Sequence, residues 1–381
     1  MKRRALWALI AVFALILAAC SSDDADTTTT AAAPDTTEAA PATTEAPAAT
    51  TTTEEAMAEL GTPERPIQVL FVPSVDTDII VSGGELMKEA LEEETGLSFE
   101  VKVPTSYAAT IEEMCAAPED TMGFIPGFGY VIASQLCGVD VAFSAVRFGW
   151  GVYWAQFLVP RDSDIDSVDD LDGLKWARPD ATSTSGSLYP QIMFAELGIE
   201  PGEVVDAGGH PQAALALYRG EVDFATTFYS PPLLPEGRWA PGDQPDIPDE
   251  FVDSCAGTDE GRVFCGPDDG YRVLDARASA VGDAADVIQA LKIVDITLPI
   301  PNDTLSFGPD FPSDLREQIS AALVVWQSEC DDDQDGDDCS WNQSIGHQDF
   351  YNWTDIAPAV DADYDPLRQV VEFAGIKLED L

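Results

Sequence analysis

Short apolar runs separated by polar stretches of helical period dominate the chain from about residue 63 onward. Ile67-Gln68-Val69-Leu70-Phe71-Val72, Phe99-Glu100-Val101-Lys102-Val103 and Gln156-Phe157-Leu158-Val159 have the alternation or unbroken apolarity of short strands. Residues 85–94, 108–116 and 213–218 place apolar side chains at three and four spacing and predict helices. Strands alternating with helices in this way predict an α/β fold with mainly parallel strands, and no internal repeat is visible. Ahead of this body the pattern is different. Residues 5–19 are almost wholly apolar, follow Lys2, Arg3 and Arg4, and end in Leu17-Ala18-Ala19-Cys20. A run this short, with a basic start and small residues at its end, predicts a secretory leader over residues 1–19 rather than a spanning helix. Residues 20–62 are Thr, Ala, Pro, Asp and Glu with almost no large apolar side chains. Such a tract cannot bury enough surface to offset chain entropy, so an extended tether is expected there.

Charge alters the list of partners. The 19 basic and 69 acidic residues give a net charge of −50, and loss of the three basic leader residues would make it −53. Nucleic acid and anionic lipid surfaces are thereby excluded as partners. Any anion site must therefore act through short-range hydrogen bonds in a cleft. Cysteine usage agrees with export: apart from Cys20, the residues Cys115, Cys137, Cys255, Cys265, Cys330 and Cys339 form an even set without CxxC spacing. Three disulfides fit better than a zinc site, although sequence alone leaves fifteen connectivities. Short loops suggest Cys255–Cys265 and Cys330–Cys339, which leaves Cys115 with Cys137. Between Cys330 and Cys339, the residues Asp331, Asp333 and Asp335 followed by Gly336 match the opening of a calcium loop. The twelfth position is Asn342 instead of a bidentate Glu, so a solvated acidic hairpin is favoured over a metal site, and no cofactor is expected. Residues 230–270 have the look of a surface insertion.

Ser183-Thr184-Ser185-Gly186, followed by Leu188-Tyr189-Pro190-Gln191-Ile192-Met193-Phe194, carries the most chemistry. Hydroxyls and unpaired N–H groups gathered at a helix start form a ready anion site, whereas the plain alternative is an N-cap with a polar turn. An enzyme such as a secreted phosphoester hydrolase is disfavoured, because there is no G-x-S-x-G elbow and only two histidines are present.

The order of motifs resembles one family. Thr105-Ser106-Tyr107-Ala108, Gly123-Phe124-Ile125-Pro126, Val152-Tyr153-Trp154, Arg161-Asp162-Ser163, the Ser183 turn, Gly209-His210, Pro299-Ile300-Pro301-Asn302-Asp303 and Tyr364-Asp365-Pro366-Leu367-Arg368 occur in sequence. This succession is similar to the phosphonate, phosphite and phosphate binding proteins of ABC importers, over nearly all of the chain beyond about Arg65. Cys20 after Leu17-Ala18-Ala19 likewise resembles a bacterial lipobox, implying a lipid anchor at the extracytoplasmic face of the membrane. What the family resemblance implies is a two-lobed periplasmic-binding-protein fold that closes like a clam, working as a monomer with permease subunits. Lobe one would comprise residues 63–160 and 298–381, and lobe two residues 161–297. The ligand would be a small phosphorus oxyanion bound by Tyr107, Tyr153, Ser183, Thr184, Ser185, His210 and Asp303. Several donors are needed at once to bury such a group, and the matching motifs supply them without an arginine. If His210 binds as the imidazolium, affinity would fall as pH rises. Asp303 would meet a ligand amine or a protonated oxygen. Ala155 and Thr304 depart from the family pattern and leave the ligand's substituent open. A sensor or scavenging lipoprotein with the same fold is the alternative function.

Overall fold

The computed structural model describes residues 58–258, 261–267, 270–330, 339–347 and 349–373. The leader, Cys20, most of the tether and Asp331, Asp333 and Asp335 lie outside the described residues. The tether was expected to reach residue 62, yet Leu60 is buried in the core, and Gly61 exchanges main-chain hydrogen bonds with Arg65 and Ser98. The folded body therefore begins earlier, because Leu60 has an apolar surface to cover.

From there the chain runs through β1 (Ile67–Phe71), α1 (Thr77–Thr95), β2 (Phe99–Lys102), α2 (Tyr107–Ala116), β3 (Thr121–Ile125), α3 (Gly127–Cys137) and β4 (Asp140–Val146). Next come β5 (Val152–Pro160), β6 (Trp176–Arg178), α4 (Tyr189–Leu197), β7 (Val204–Asp206), α5 (His210–Tyr218) and β8 (Phe224–Tyr229). A connecting segment then carries α6 (Asp249–Val252), β9 (Ala256–Gly257), β10 (Val263–Cys265) and β11 (Tyr271–Val273). The last part holds α7 (Val287–Ala290), β12 (Leu291–Ile296), β13 (Ile300–Pro301), β14 (Thr304–Phe307), α8 (Ser313–Ser328), α9 (Ser340–Gln343), β15 (Asp355–Pro358) and α10 (Asp365–Phe373).

Two sheets organise these elements. The first has the order β15-β4-β14-β3-β1-β2, and the second has the order β12-β5-β8-β6-β7 with β13 also paired to β5. Parallel pairing joins β1 to β2 and β3, and β6 to β7 and β8, while the strands added from other parts of the chain pair antiparallel. The sheets are thus mixed rather than mainly parallel, because each is completed by strands that arrive by long returns. The lobe boundary also differs from expectation. All of β5 belongs to the second sheet, since Trp154 to Leu158 pair with β8 and Gln156 to Pro160 with β12. The chain accordingly crosses between Val146 and Val152, some ten residues earlier than Pro160, and returns through Ile300 and Pro301, which pair with Tyr153 and Val152.

Local chemistry explains where helices start and stop. Asp76 caps α1 by accepting from the Asp78 N–H at 2.9 Å, and Gly96 ends it at φ +71°, a left-handed conformation that glycine adopts without strain. Helix α1 starts at Thr77, ahead of the 85–94 span that apolar spacing predicts, and runs through Gly83-Gly84. They serve close packing: a Cβ at Gly83 would lie 2.3 Å from the Phe350 ring. The disulfides are Cys115–Cys137, Cys255–Cys265 and Cys330–Cys339, as the short loops suggested. The first ties α2 to α3. In the inserted segment, Trp239 packs edge-on against Trp154 and Tyr229 at centroid separations of 5.2 and 5.9 Å. Buried Arg277 donates to Asp246 at 2.8 Å and to Asp275 at 3.0 Å, and Arg161 reaches the other Asp246 oxygen at 3.0 Å. These contacts make the insertion an integral part of the second lobe.

Candidate functional site

Strand ends and helix starts of both lobes converge on one small cavity of about 60 Å³. From the first lobe it is lined by Val72, Ser74 and Val75 after β1, by Tyr107 at the start of α2, and by Pro126 before α3. The second lobe contributes Ser183 and Ser185 before α4, His210 at the start of α5, and Phe228 and Ser230 at the end of β8. Arg147, Tyr153 and Asp303 come from the crossing segments, and Phe350, Tyr351 and Asn352 from the C-terminal part. Ligand sites form in such crevices because helix starts present unpaired N–H groups there.

Six of the seven residues expected from the sequence line this cavity: Tyr107, Tyr153, Ser183, Ser185, His210 and Asp303. Ser106 caps α2 by accepting from the Ala109 N–H at 3.1 Å, which sets Tyr107 in the first turn. Burial, followed by nearby Tyr351 and acidic groups, raises the Tyr107 hydroxyl well above its usual range. Burial and then Asp303 raise Tyr153 in the same way. Both phenols therefore remain protonated and able to donate. The Ser183 hydroxyl accepts from the Gly186 N–H at 3.1 Å, which leaves its own O–H to donate elsewhere. A single π-helical turn, Thr184–Leu188, leads into α4. Gly186 in this turn sits against a proline, since a Cβ there would lie 2.2 Å from Pro179 Cδ.

Thr184 behaves differently from its neighbours. It is fully buried, and its Oγ1 accepts from the Phe128 N–H at 3.0 Å, joining the turn of the second lobe to the start of α3 in the first. A second such link runs from the His210 N–H to the Ser74 carbonyl at 3.0 Å. The lobes thus meet through a side-chain hydroxyl and a main-chain N–H at one contact and through main-chain groups alone at the other.

His210 is a neutral imidazole, not an imidazolium. Burial, with Arg147 as the lesser cause, lowers its pKa to about 3. Nδ1 accepts from the Phe228 N–H at 3.0 Å, so the ring proton resides on Nε2 and the free edge is a donor. An arginine, which the matching motifs did not offer, is also present. Arg147 Nη2 donates to Asp303 Oδ2 at 2.5 Å, Nη1 to Asn302 Oδ1 at 3.0 Å and Nε to the Tyr351 carbonyl at 3.2 Å. Asp303 therefore already has a cationic partner. Asn352 Oδ1 is buried without a protein hydrogen-bond partner, and its backbone takes the left-handed φ of +56°. Ala155 and Thr304, the departures from the family pattern, both make structural bonds. The Ala155 N–H donates to Thr297 at 3.0 Å, and the Thr304 hydroxyl donates to the Ile125 carbonyl at 3.3 Å.

An enclosed, donor-rich cavity between two mixed-sheet lobes defines a solute-binding protein of the two-lobed periplasmic type. The chain belongs to the ABC transporter phosphonate periplasmic substrate-binding protein family, whose model matches residues 69–364. This is a transport family rather than an enzyme family, and its members work outside the cytoplasm as the substrate-binding component of an importer. The chain is 28% identical over 249 residues to the phosphate-import protein PhnD of Mycolicibacterium smegmatis, covering 61% of this chain and 68% of that one. In fold it is similar to a binding protein component of an ABC phosphonate transporter from Pseudomonas aeruginosa, with a TM-score of 0.59, 16% identity, and coverage of 81% of this chain and 86% of that one. A similar likeness, TM-score 0.57 at 13% identity, covering 81% of this chain and 98% of the other, holds for PhnD1 of Prochlorococcus marinus in complex with methylphosphonate.

Proposed function

We propose that the cavity captures a phosphorus oxyanion, with Tyr107, Tyr153, Ser183, Ser185 and the Nε2 edge of His210 as its donors. The observation that carries this proposal is the convergence of four hydroxyls and one neutral imidazole on a single small, buried space. A buried oxyanion needs its lone pairs met by several donors at once. Bonds to charged groups contribute roughly 1.5–3 kcal/mol each, so a few of them reach the approximately −8 kcal/mol of a micromolar ligand. Thr184 serves in this scheme as the link between the lobes and Asp303 as the anchor of Arg147. Calorimetry with phosphate, phosphite and methylphosphonate tests the assignment. Ser183→Ala and Ser185→Ala should each weaken binding by roughly 1.5–3 kcal/mol, and Ser183→Ala should also cost about 1 kcal/mol of stability, because its hydroxyl caps the Gly186 N–H. Unchanged affinity in both variants for every oxyanion that binds would refute it.

The cargo would pass to ABC permease subunits, with the protein acting as a monomer held at the membrane by acyl chains on Cys20. The sequence Leu17-Ala18-Ala19-Cys20 supports that anchor. Among the described residues no helix is long and apolar enough to cross a membrane. Cys20→Ser should move the protein from the membrane fraction to the soluble one, and equal partitioning of the variant would dispose of the lipid anchor.

A further inference from the structure

The cavity lining contains one full positive charge and one full negative charge, and the two are bonded to each other. Arg147 and Asp303 are only 12% and 14% exposed, and all three guanidinium nitrogens are engaged by Asp303, Asn302 and the Tyr351 carbonyl. The backbone on both sides of this fork is constrained. Phe148 and Asn352 are the two non-glycine residues with positive φ among the described residues, at +49° and +56°. One directly follows Arg147, and the other directly follows Tyr351, whose carbonyl Arg147 binds. Disfavoured backbone of this kind persists where surrounding contacts over-determine it, and it gathers at ligand sites.

We infer that Arg147 is a specificity-determining residue: by pairing with Asp303 it denies that carboxylate to any cationic substituent, so the pocket selects a small phosphorus oxyanion that carries no ammonium group. This inference rests on the phosphorus-oxyanion assignment of the cavity. An unpaired buried carboxylate would attract an ammonium tail and repel an anion, whereas a paired one does neither. An ammonium group entering here would have to displace the guanidinium and leave it buried beside a second cation.

Calorimetry on the purified chain with phosphate, phosphite, methylphosphonate and 2-aminoethylphosphonate provides the test. The wild-type protein should bind methylphosphonate about 100-fold more tightly than 2-aminoethylphosphonate, a gap in the range set by desolvating an unpaired charge. Arg147→Gln should weaken methylphosphonate binding and shrink the gap to about 10-fold or less, because Asp303 becomes available to the amine. Adding Asp303→Asn to that variant should widen the gap again. Equal wild-type affinity for the two phosphonates, or a gap unchanged in Arg147→Gln, overturns the inference while leaving the oxyanion assignment intact. Should Arg147→Gln not fold, the wild-type comparison decides alone. Failure of all four compounds to bind removes the oxyanion assignment itself and the inference with it.

Discussion

His210 offers a measurement in which one proton reports the state of the site. Its pKa is lowered to about 3 by burial, whereas in the unfolded chain it takes the ordinary value of about 6.5. Between these values the unfolded state binds a proton that the native state refuses, so native stability falls as pH falls, by about 1.4 kcal/mol per unit once below 6.5. From pH 7 to pH 4.5 the loss assigned to this one side chain is about 2.5 kcal/mol. A chain with 69 acidic residues has other acid-sensitive groups, and the assay must cancel them. His210→Gln cannot titrate at this position, so urea unfolding of wild type and variant at several pH values isolates the difference. The stability advantage of the wild type over His210→Gln should shrink by about 2.5 kcal/mol over that range. The chain has two histidines, His210 and His347, so imidazole NMR gives a direct companion reading. The signal lost in the variant should keep the shift of a neutral ring down to about pH 4. A constant difference between wild type and variant, or a His210 signal that titrates near pH 6, would refute the neutral assignment.

Thr184→Val leaves the buried Phe128 N–H without its acceptor and should weaken ligand binding by about 1–3 kcal/mol through the closed state. Thr184→Ser should be close to wild type by calorimetry, and small-angle scattering should show less ligand-induced compaction in the Val variant. Removing the shared cation of the buried cluster, as in Arg277→Met, strands Asp275 and leaves Asp246 with Arg161 alone, and should cost about 3–5 kcal/mol of stability in a denaturant titration. Gly83→Ala forces a methyl against Phe350, and a destabilisation of roughly 1–3 kcal/mol is expected from overpacking. That change should be accompanied by weaker oxyanion binding, because Phe350 lines the cavity.

Much of this architecture was legible in the chain, and the parts that were not have physical reasons. Tyr107, Ser183, Ser185 and His210 lie at helix starts, where cap and glycine chemistry is written locally. Strand β5 was readable as a strand from Gln156, but the sheet to which it belongs is decided by pairing with Thr226 and Lys292, far away in sequence. Arg147 left no signal. It follows an apolar strand and precedes Phe148-Gly149, a stretch that reads as an ordinary turn, and its partners lie about 155 and 204 residues onward. Nor does sequence announce left-handed backbone at a phenylalanine. The bond from the Phe128 N–H of the other lobe to Thr184 was not legible, because a backbone donor carries no side-chain signature.

The two crossings of the chain between lobes are fastened together. Asn302 Nδ2 donates to the carbonyls of Ala145 and Trp150, at 2.7 and 2.9 Å, and β13 lies along β5. Tyr153 and the Arg147–Asp303 pair stand on those same segments and line the cavity there, so part of the site is mounted where the chain passes from one lobe to the other. In a lever loaded at its pivot, a fraction of an ångström at the load becomes a much larger swing at the arms. Any rotation of the lobes about these fastened segments would turn a small displacement at the cavity into a larger one at the rims.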